Sequence, residues 1–218
     1  PGAADPGPMG WVEFDGGLVE VGHGGNDAGA VDGFAFDNEG PRHEVRLYDY
    51  ALADRLVTAG EWLAFIDDGG YRRPELWKSD GWARVQSEGW DAPLYWRRHP
   101  DDPDRWWIHT LTGVRELDPH EPVVHVSHYE ADAFATWSDA RLPTEFEWEH
   151  AAATLGAVFH WGHSVWEWTS SAFAPYPGFT PGPYHAYSQP WFGNHRELRG
   201  GAFASHARMH HPRYRNFF

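Results

Sequence analysis

Two tyrosines in a proline-bounded loop are the side chains of this chain whose type and spacing best suit chemistry. Tyr184 and Tyr187 lie three positions apart in residues 181–192, PGPYHAYSQPWF, where neither helix nor strand packing calls for tyrosine. A phenol in such a loop can donate a proton or a hydrogen bond to a reacting oxygen atom. The alternative is that both rings pack against neighbours and leave their hydroxyls in water. The residues alone leave both interpretations open.

Residues 125–130, HVSHYE, combine two histidines and a carboxylate, which are the ligand types of many non-heme iron sites. The pattern also fits a helix start, with Ser127 as the N-cap and Glu130 as its partner in a capping box. His125 would then end the preceding strand while His128 opens the helix, so the three side chains would diverge. We therefore predict a structural role for this segment.

Two other polar clusters are also predicted to be structural. His206 and His210 are four positions apart, but a proline follows closely and no carboxylate is near enough in sequence to complete a metal site. Trp166-Glu167-Trp168, with Arg141 and the glutamates of residues 145–149, indicates a buried polar network, because buried carboxylates normally need arginine or backbone donors. No metal ligand is predicted in this chain.

Three helix starts are predicted from capping boxes, in which a hydroxyl residue is followed three positions later by glutamate. The pairs are Thr58 with Glu61, Ser127 with Glu130, and Thr144 with Glu147. The glycine pair 69–70 is expected to end the first helix. Strands are predicted at Trp11–Phe14 and Leu18–Val21, joined as a hairpin by Gly16-Gly17, and at His43–Tyr50.

The composition is that of a folded, acidic protein without cysteine. Of 218 residues, 41% are hydrophobic and 17% aromatic, which argues against disorder, and 24 glycines with 17 prolines imply much loop and turn. The net charge of −15 argues against nucleic-acid binding. Without cysteine there are no disulfides, thiolate metal sites or cysteine nucleophiles. No apolar run reaches the roughly 18 residues of a membrane span, so we expect a cytoplasmic protein with no membrane partner.

The chain is expected to form one α+β domain, rich in loops, with short strands and a few helices. Residues 1–10 are polar and rich in proline and glycine, which is typical of an interdomain linker, and residues 11–218 are expected to form the domain. The glycine- and aspartate-rich residues 22–33 lack the spacing of a phosphate-binding loop.

Four segments contain long runs of specific aromatic, glycine, proline and glutamate residues, whereas packing of a helix or strand requires only a repeat of apolar positions. They are RLPTEFEWEHAA at 141–152, VWEWTSSAFAPYPGF at 165–179, LRGGAF at 198–203 and RYRNFF at 213–218. These segments resemble the C-terminal domain of the iron-dependent sulfoxide synthases of ergothioneine biosynthesis, a domain related to formylglycine-generating enzymes. The likeness extends from PRHEV at residue 41 to the end of RNFF.

The resemblance implies the formylglycine-generating-enzyme fold, which is related to C-type lectins, and a non-heme iron, O₂-dependent oxidoreductase. In this family three histidines hold Fe(II), mainly on an upstream helical domain of the DinB type, and the family's His-x₃-His-x-Glu motif does not occur here. The family chain also continues past RNFF to a final strand. We therefore expect this sequence to be part of a larger enzyme, and a structural Ca²⁺ ion is a further expectation. The copper chemistry of formylglycine-generating enzymes is excluded, because it requires cysteines.

The resemblance also implies roles for single residues. Tyr184 is expected to be the proton-donating acid, and Tyr187 is expected to support it. Phe217 is expected to face the trimethylammonium group of hercynine (Nα-trimethylhistidine), a cation–π contact that needs only an open ring face. Its neighbours Arg215, Asn216 and Phe218 are expected to contact the substrate as well.

The chain departs from the actinobacterial members of the family at a residue that would bind the second substrate, which donates the sulfur or selenium atom. Phe218 stands where those members have an aspartate that helps to hold the amino-acid end of the sulfur donor, and a phenyl ring cannot do this. SQPWF at 188–192 and GGAFAS at 200–205 are more similar to the selenoneine synthases, which form a C–Se bond to hercynine from a selenosugar. The alternative donor is cysteine or γ-glutamylcysteine, giving a C–S bond. A non-catalytic module of lectin-like fold that binds a sugar or small molecule is the competing class of function.

Overall fold

The computed structural model describes residues 2–24, 34–155 and 164–218, so most of the predicted loop 22–33 lies outside the described residues. In the described part of the chain, the strands are β1 Trp11–Phe14, β2 Gly17–Val21, β3 His43–Leu47, β4 Tyr50–Ala53, β5 Trp96–His99, β6 Asp102–Thr110, β7 Gly113–Glu116, β8 Glu167–Ala172, β9 Arg196–Arg199 and β10 Asn216–Phe217. The α-helices there are α1 Ala59–Asp67, α2 Ser79–Glu88, α3 His128–Trp137 and α4 Glu145–Leu155. Short strands, few helices and long loops confirm the predicted α+β class.

The chain divides into two compact units. The first consists of Pro1–Pro8 and Leu56–Arg141, and the second of Met9–Arg55 and Leu142–Phe218. The expected linker lies partly in the first unit, where the Ala3 backbone N–H donates to the Asp118 carboxylate at 2.7 Å. The predicted domain boundary after residue 10 stays a prediction.

The first unit holds α1, α2, α3 and a three-stranded antiparallel sheet in the order β5-β6-β7. Its core forms where α1 meets α3: the Trp62 and Phe134 rings stack with centroids 4.8 Å apart, and Phe65 is fully buried beside them. The Tyr71 hydroxyl donates to the buried Glu130 carboxylate at 2.6 Å. Glu130 therefore supports the core as well as capping its own helix.

All three predicted capping boxes are confirmed. The backbone N–H of the glutamate donates to the hydroxyl at 3.2 Å for Thr58, 3.3 Å for Ser127 and 3.1 Å for Thr144. In return, the glutamate carboxylate accepts from the N-cap backbone N–H at 2.8, 2.7 and 2.7 Å. Helix α1 ends at Asp67, and Gly69 then takes the left-handed conformation (φ 77°), as the glycine pair predicted.

The predicted hairpin between residues 11 and 21 is wrong, although both of its strands exist. Strand β1 pairs with β4, and β2 pairs with β3, each antiparallel and in separate two-stranded sheets. The glycine pair allows close approach rather than a reversal: a Cβ on Gly16 would lie 2.6 Å from the Leu47 carbonyl oxygen. The Gly16 N–H also donates to the Asp49 carboxylate at 2.8 Å, in the turn that divides the predicted strand His43–Tyr50 in two.

The second unit places α4 against β2, β3, β8 and β9. Strands β8, β9 and β10 form an antiparallel sheet with β9 in the middle. The segments that carried the family resemblance therefore come together: RLPTEFEWEHAA includes the start of α4, VWEWTSSAFAP includes β8, LRGGAF ends β9, and RNFF includes β10. This assembly positions the candidate site.

Candidate functional site

The loop that carries the two tyrosines is held near both ends by one carboxylate. Asp37 accepts from the Gly182 backbone N–H at 3.1 Å through one oxygen and from the Ser188 hydroxyl through the other. Ser188 is fully buried. Because Tyr184 and Tyr187 lie between these two anchors, the loop presents their rings from a fixed base.

The structure brings together Tyr184, Tyr187 and Phe217, three of the residues predicted for the site. The ring centroids of Tyr184 and Tyr187 are 6.3 Å apart, and those of Tyr187 and Phe217 are also 6.3 Å apart. Phe217 stacks on the buried Phe173 at 4.2 Å, and Tyr187 stacks on Phe36 at 4.5 Å. We call Tyr184, Tyr187 and Phe217, together with the rings that pack against them, the aromatic cluster.

The aromatic cluster keeps part of its ring surface open to solvent. Tyr184 is 69% exposed and Trp191, whose ring lies 6.3 Å from that of Phe217, is 41% exposed. Phe217 itself is half-buried, because Phe173 stacks on it. An open aromatic face is what a quaternary ammonium group needs for a cation–π contact.

The Tyr187 hydroxyl is held in its protonated form. Burial, and then interaction with the Tyr214 hydroxyl, raise the pKa of Tyr187 above its usual value. Burial also raises the pKa of Tyr214. Both groups are therefore neutral phenols at physiological pH, suited to donate hydrogen bonds or protons rather than to act as phenolate nucleophiles.

Phe218 and Asn216 lie differently from Phe217. Phe218 is 84% exposed, and its backbone exchanges hydrogen bonds with Arg196 at 2.9 and 3.0 Å. Asn216 pairs with Leu198 across β10 and β9. Successive side chains of a strand point to opposite faces, so Phe217 faces away from both neighbours. The substrate contacts predicted for Asn216 and Phe218 stay predictions, and the geometry places only Phe217 of this trio in the aromatic cluster.

Arg215 lies in a buried ion network rather than on the site surface. Arg199 pairs with Glu145 and Glu149 at 3.0 Å and with Glu197 at 2.6 Å. Arg215 pairs with Glu145 at 3.0 Å and with Glu197 at 2.6 Å, and its guanidinium lies 3.9 Å from the centroid of the Tyr176 ring. Both arginine side chains have no exposed surface, so this geometry favours a structural role for Arg215 over the predicted substrate contact.

Two carboxyl groups of the ion network have pKa values shifted in opposite directions. Burial, and then repulsion by Glu197, raise the pKa of Glu145 to about 8. Burial alone would raise the pKa of Glu197, but Arg199 and Arg215 outweigh it and lower that pKa. Two glutamates of the predicted polar network, Glu145 and Glu149, are thus buried and paired with Arg199, an arginine that the sequence did not assign to it.

The described residues do not fit the Fe(II) ion that the resemblance implies. Across residues 2–24, 34–155 and 164–218, no group of three or more histidine, aspartate or glutamate side chains is placed to hold a metal ion. Glu130 is engaged by its capping box and by Tyr71, and His128 opens α3. His206 and His210 flank a 3-10 helix at Ala207–Met209 rather than sharing one face of an α-helix.

The comparisons with known proteins agree with this architecture. A family model described as a sulfatase-modifying factor enzyme 1-like domain matches residues 8–164. The chain belongs to this family. A relative named hercynine oxygenase, from Mycolicibacterium thermoresistibile, is 38% identical over 84% of this chain and 50% of its own length. A formylglycine-generating enzyme from Thermomonospora curvata is 30% identical over 82% of this chain and 67% of its own length.

The solved structure of PvdO from Pseudomonas aeruginosa matches the fold with a TM-score of 0.52. It is 17% identical, and the match covers 99% of this chain and 94% of that one. The predicted formylglycine-generating-enzyme-like fold is therefore confirmed. The chain spans about half the length of the hercynine oxygenase that it matches. In the described part of the chain, no helix combines the length and apolar character that crossing a bilayer requires.

Sequence reasoning assigned no role to several residues that build the site. Asp37 anchors the tyrosine loop. Tyr214 acts on the pKa of Tyr187, and Arg199 pairs with three glutamates of the buried ion network. Arg199 lies within LRGGAF and Tyr214 within RYRNFF, two of the segments that carry the family resemblance. The resemblance therefore included both residues but gave neither a specific role. Asp37 lies 145 positions from Gly182, and no local pattern connects the two.

Proposed function

We propose that this chain is the substrate-binding and proton-donating part of a larger non-heme iron, O₂-dependent enzyme that forms a C–Se or C–S bond at the imidazole of hercynine. The observation that carries the proposal is the aromatic cluster: Tyr184 and Tyr187 of one loop meet Phe217 of β10, and the rings are partly open to solvent. The identity to a protein named hercynine oxygenase supports the same substrate.

The aromatic cluster supplies binding and a proton. The trimethylammonium of hercynine packs against the open rings of Phe217 and Trp191, since a cation is attracted to the face of an aromatic ring. Tyr184, exposed beside it, donates a proton to the reacting oxygen, and Tyr187 fixes the position of its ring. Iron would be held by a segment outside this chain and would supply the oxygen chemistry. Selenium from a selenosugar is the proposed donor atom, and sulfur from cysteine or γ-glutamylcysteine is the alternative.

The test is Tyr184→Phe in the full-length protein, supplied with Fe(II), O₂, hercynine and each donor in turn. We expect the variant to form product about 100-fold more slowly, because a positioned acid contributes roughly 10²- to 10⁴-fold, and to consume O₂ with poorer coupling to product. Tyr48→Phe is the matched control, since Tyr48 is an 82% exposed tyrosine outside the cluster. Full activity in Tyr184→Phe would remove the acid assignment, and mass spectrometry of the product identifies the chalcogen.

The competing function is a non-catalytic module that binds its ligand on the same open rings. Stacking of a sugar or a cation on Tyr184 and Trp191 requires no chemistry. Anaerobic titration of the full-length protein with hercynine, with and without Fe(II), separates the two. Affinity that ignores iron, together with no turnover, would favour the module.

A further inference from the structure

A histidine lies beside the two rings to which the proposed function assigns the substrate cation. The centroid of the His195 ring is 5.1 Å from that of Trp191 and 5.8 Å from that of Phe217, and the ring is nearly perpendicular to both, at 79° and 86°. The planes of Trp191 and Phe217 differ by only 28°, with centroids 6.3 Å apart. We call these three residues the ring corner, since a cation that enters it can contact more than one ring.

Contacts with neighbouring residues hold all three rings of the ring corner in place. The Phe173 backbone N–H donates to the His195 carbonyl oxygen at 2.8 Å. Phe173 is also the buried residue whose ring stacks on Phe217, so one residue positions two of the three rings. The Trp191 indole N–H donates to the Ala186 carbonyl oxygen at 3.2 Å. The ring corner is therefore formed before a ligand binds, which lowers the entropic cost of binding.

His195 can line a cation site because its ring need not carry a charge. Its Nδ1 atom is buried and has no hydrogen-bond partner within the described residues. A hydrogen on that atom would be a buried donor without an acceptor, which is costly. The uncharged imidazole with its hydrogen on Nε2 avoids this cost. Such a ring adds aromatic surface without the positive charge that would repel an ammonium group.

The carboxylate nearest to His195 along the chain is not available to a ligand. Glu197 is fully buried and pairs with both Arg199 and Arg215 at 2.6 Å. An ammonium group that bears N–H bonds loses water when it packs against aromatic rings, and it needs hydrogen-bond acceptors in return. A quaternary ammonium group has no N–H bond to satisfy. The ring corner therefore suits the quaternary group better.

We propose that His195 is a specificity-determining residue that, with Trp191 and Phe217, selects a quaternary ammonium group over an ammonium group that bears N–H bonds. The inference rests on the proposed function, in which hercynine binds at these rings, and it names the feature of hercynine that the site recognises. Hercynine and histidine share the imidazole and the carboxylate and differ only in the three N-methyl groups. The ratio of their dissociation constants therefore reports on the ring corner alone.

The test compares the binding of hercynine and histidine to the full-length protein with Fe(II), by calorimetric titration without O₂ so that no turnover occurs. We expect the unmodified protein to bind hercynine about 100-fold more tightly than histidine. In His195→Ala this ratio should fall about tenfold, because one ring face contributes a factor of this order to cation binding. His195→Phe keeps an aromatic ring and should keep the ratio. His109→Ala, which changes an exposed histidine on β6, is the matched control and should also keep it.

His195→Gln removes the ring but keeps a polar side chain, and it replaces His195→Ala if that variant does not fold. The role of His195 is overturned if the variant without the ring has the same ratio as His109→Ala, or if His195→Phe loses as much of the ratio as that variant. An unmodified protein that binds neither compound would instead reject the proposed function. Titration with tetramethylammonium and with ammonium chloride, followed at the ¹⁵N resonance of the Trp191 indole, then decides the inference. Equal shifts with the two cations would overturn it.

Discussion

Arg199 shows how strongly a single buried charge depends on its partners. Its guanidinium contacts three carboxylates and also donates to the Tyr176 hydroxyl at 3.0 Å, all without solvent exposure. Removing one member of such a network leaves the remaining charges buried and unpaired, and this destabilises the folded state. That loss of stability is larger than any stability the complete network adds relative to well-packed apolar side chains. The network therefore holds α4 to β9 only while it is complete.

We expect Arg199→Met to lower the free energy of unfolding by about 3–5 kcal/mol, since this is the usual cost of breaking a buried ion pair. Urea denaturation of the variant and the unmodified protein measures the change. Arg42→Met is the control: Arg42 pairs with Glu20 at 2.8 Å on the surface, where both side chains are partly exposed, and such pairs contribute at most about 1 kcal/mol. Equal losses in the two variants would contradict a special role for the buried network.

At the scale of elements, local chemistry set the helices while distant contacts set the strand pairing. Thr144 and Glu147 specify the start of α4 within four residues, so the sequence sufficed to predict it. Strand β1 pairs with β4, which is more than thirty residues away, and no pattern in the sequence near β1 indicates this pairing. A glycine pair between two strands therefore predicted a hairpin that tertiary packing did not form.

The helix caps give a direct test at this scale. We expect Thr144→Ala to destabilise the protein by about 1 kcal/mol, because the first turn of α4 loses the acceptor for the Glu147 N–H and the cap is partly buried. The change is measured as a shift in the midpoint of urea unfolding. Ser87→Ala serves as the control, since Ser87 lies in the last turn of α2 and its hydroxyl donates to the Arg84 carbonyl of the same helix at 3.3 Å. A Thr144→Ala protein as stable as Ser87→Ala would show that the cap is redundant.

The same division applies to the candidate site. Tyr184, Tyr187 and Phe217 were found because their segments resemble a family, and the structure brings the three rings together. Arg215 was predicted to contact the substrate, and the sequence does not show that Glu145 and Glu197 both pair with it in the folded chain. The sequence did not single out Glu39, because its raised pKa results from burial, which a sequence does not show.

For the molecule as a whole, buried titratable groups make stability depend on pH. Glu39 has a pKa of about 8 when folded and close to 4.5 when unfolded, so its contribution to the free energy of unfolding falls as pH rises between these values. His211 acts in the opposite sense at lower pH: its folded pKa is about 4, so stability is lost as pH falls below 6.5. The two effects together favour an optimum on the weakly acid side of neutrality.

We expect Glu39→Gln to be more stable than the unmodified protein at pH 8 and above, by on the order of 4 kcal/mol relative to the difference at pH 4.5. Gln mimics the protonated acid in shape and cannot ionise, so the penalty of a buried carboxylate disappears. Urea denaturation at pH 4.5, 6.5 and 8.5 measures the difference. A gap between the two proteins that stays constant over this range would show that Glu39 does not hold a proton in the native state.

Asp37 ties the tyrosine loop near both ends, and Glu39 follows it by two residues in the same short turn. A chimaera that exchanges residues 181–192 between relatives to alter substrate preference would transfer the aromatic rings without the aspartate that anchors their loop. Such chimaeras should succeed only when the recipient keeps a matching aspartate at the turn, and co-transfer of residues 36–39 is the simplest way to ensure it.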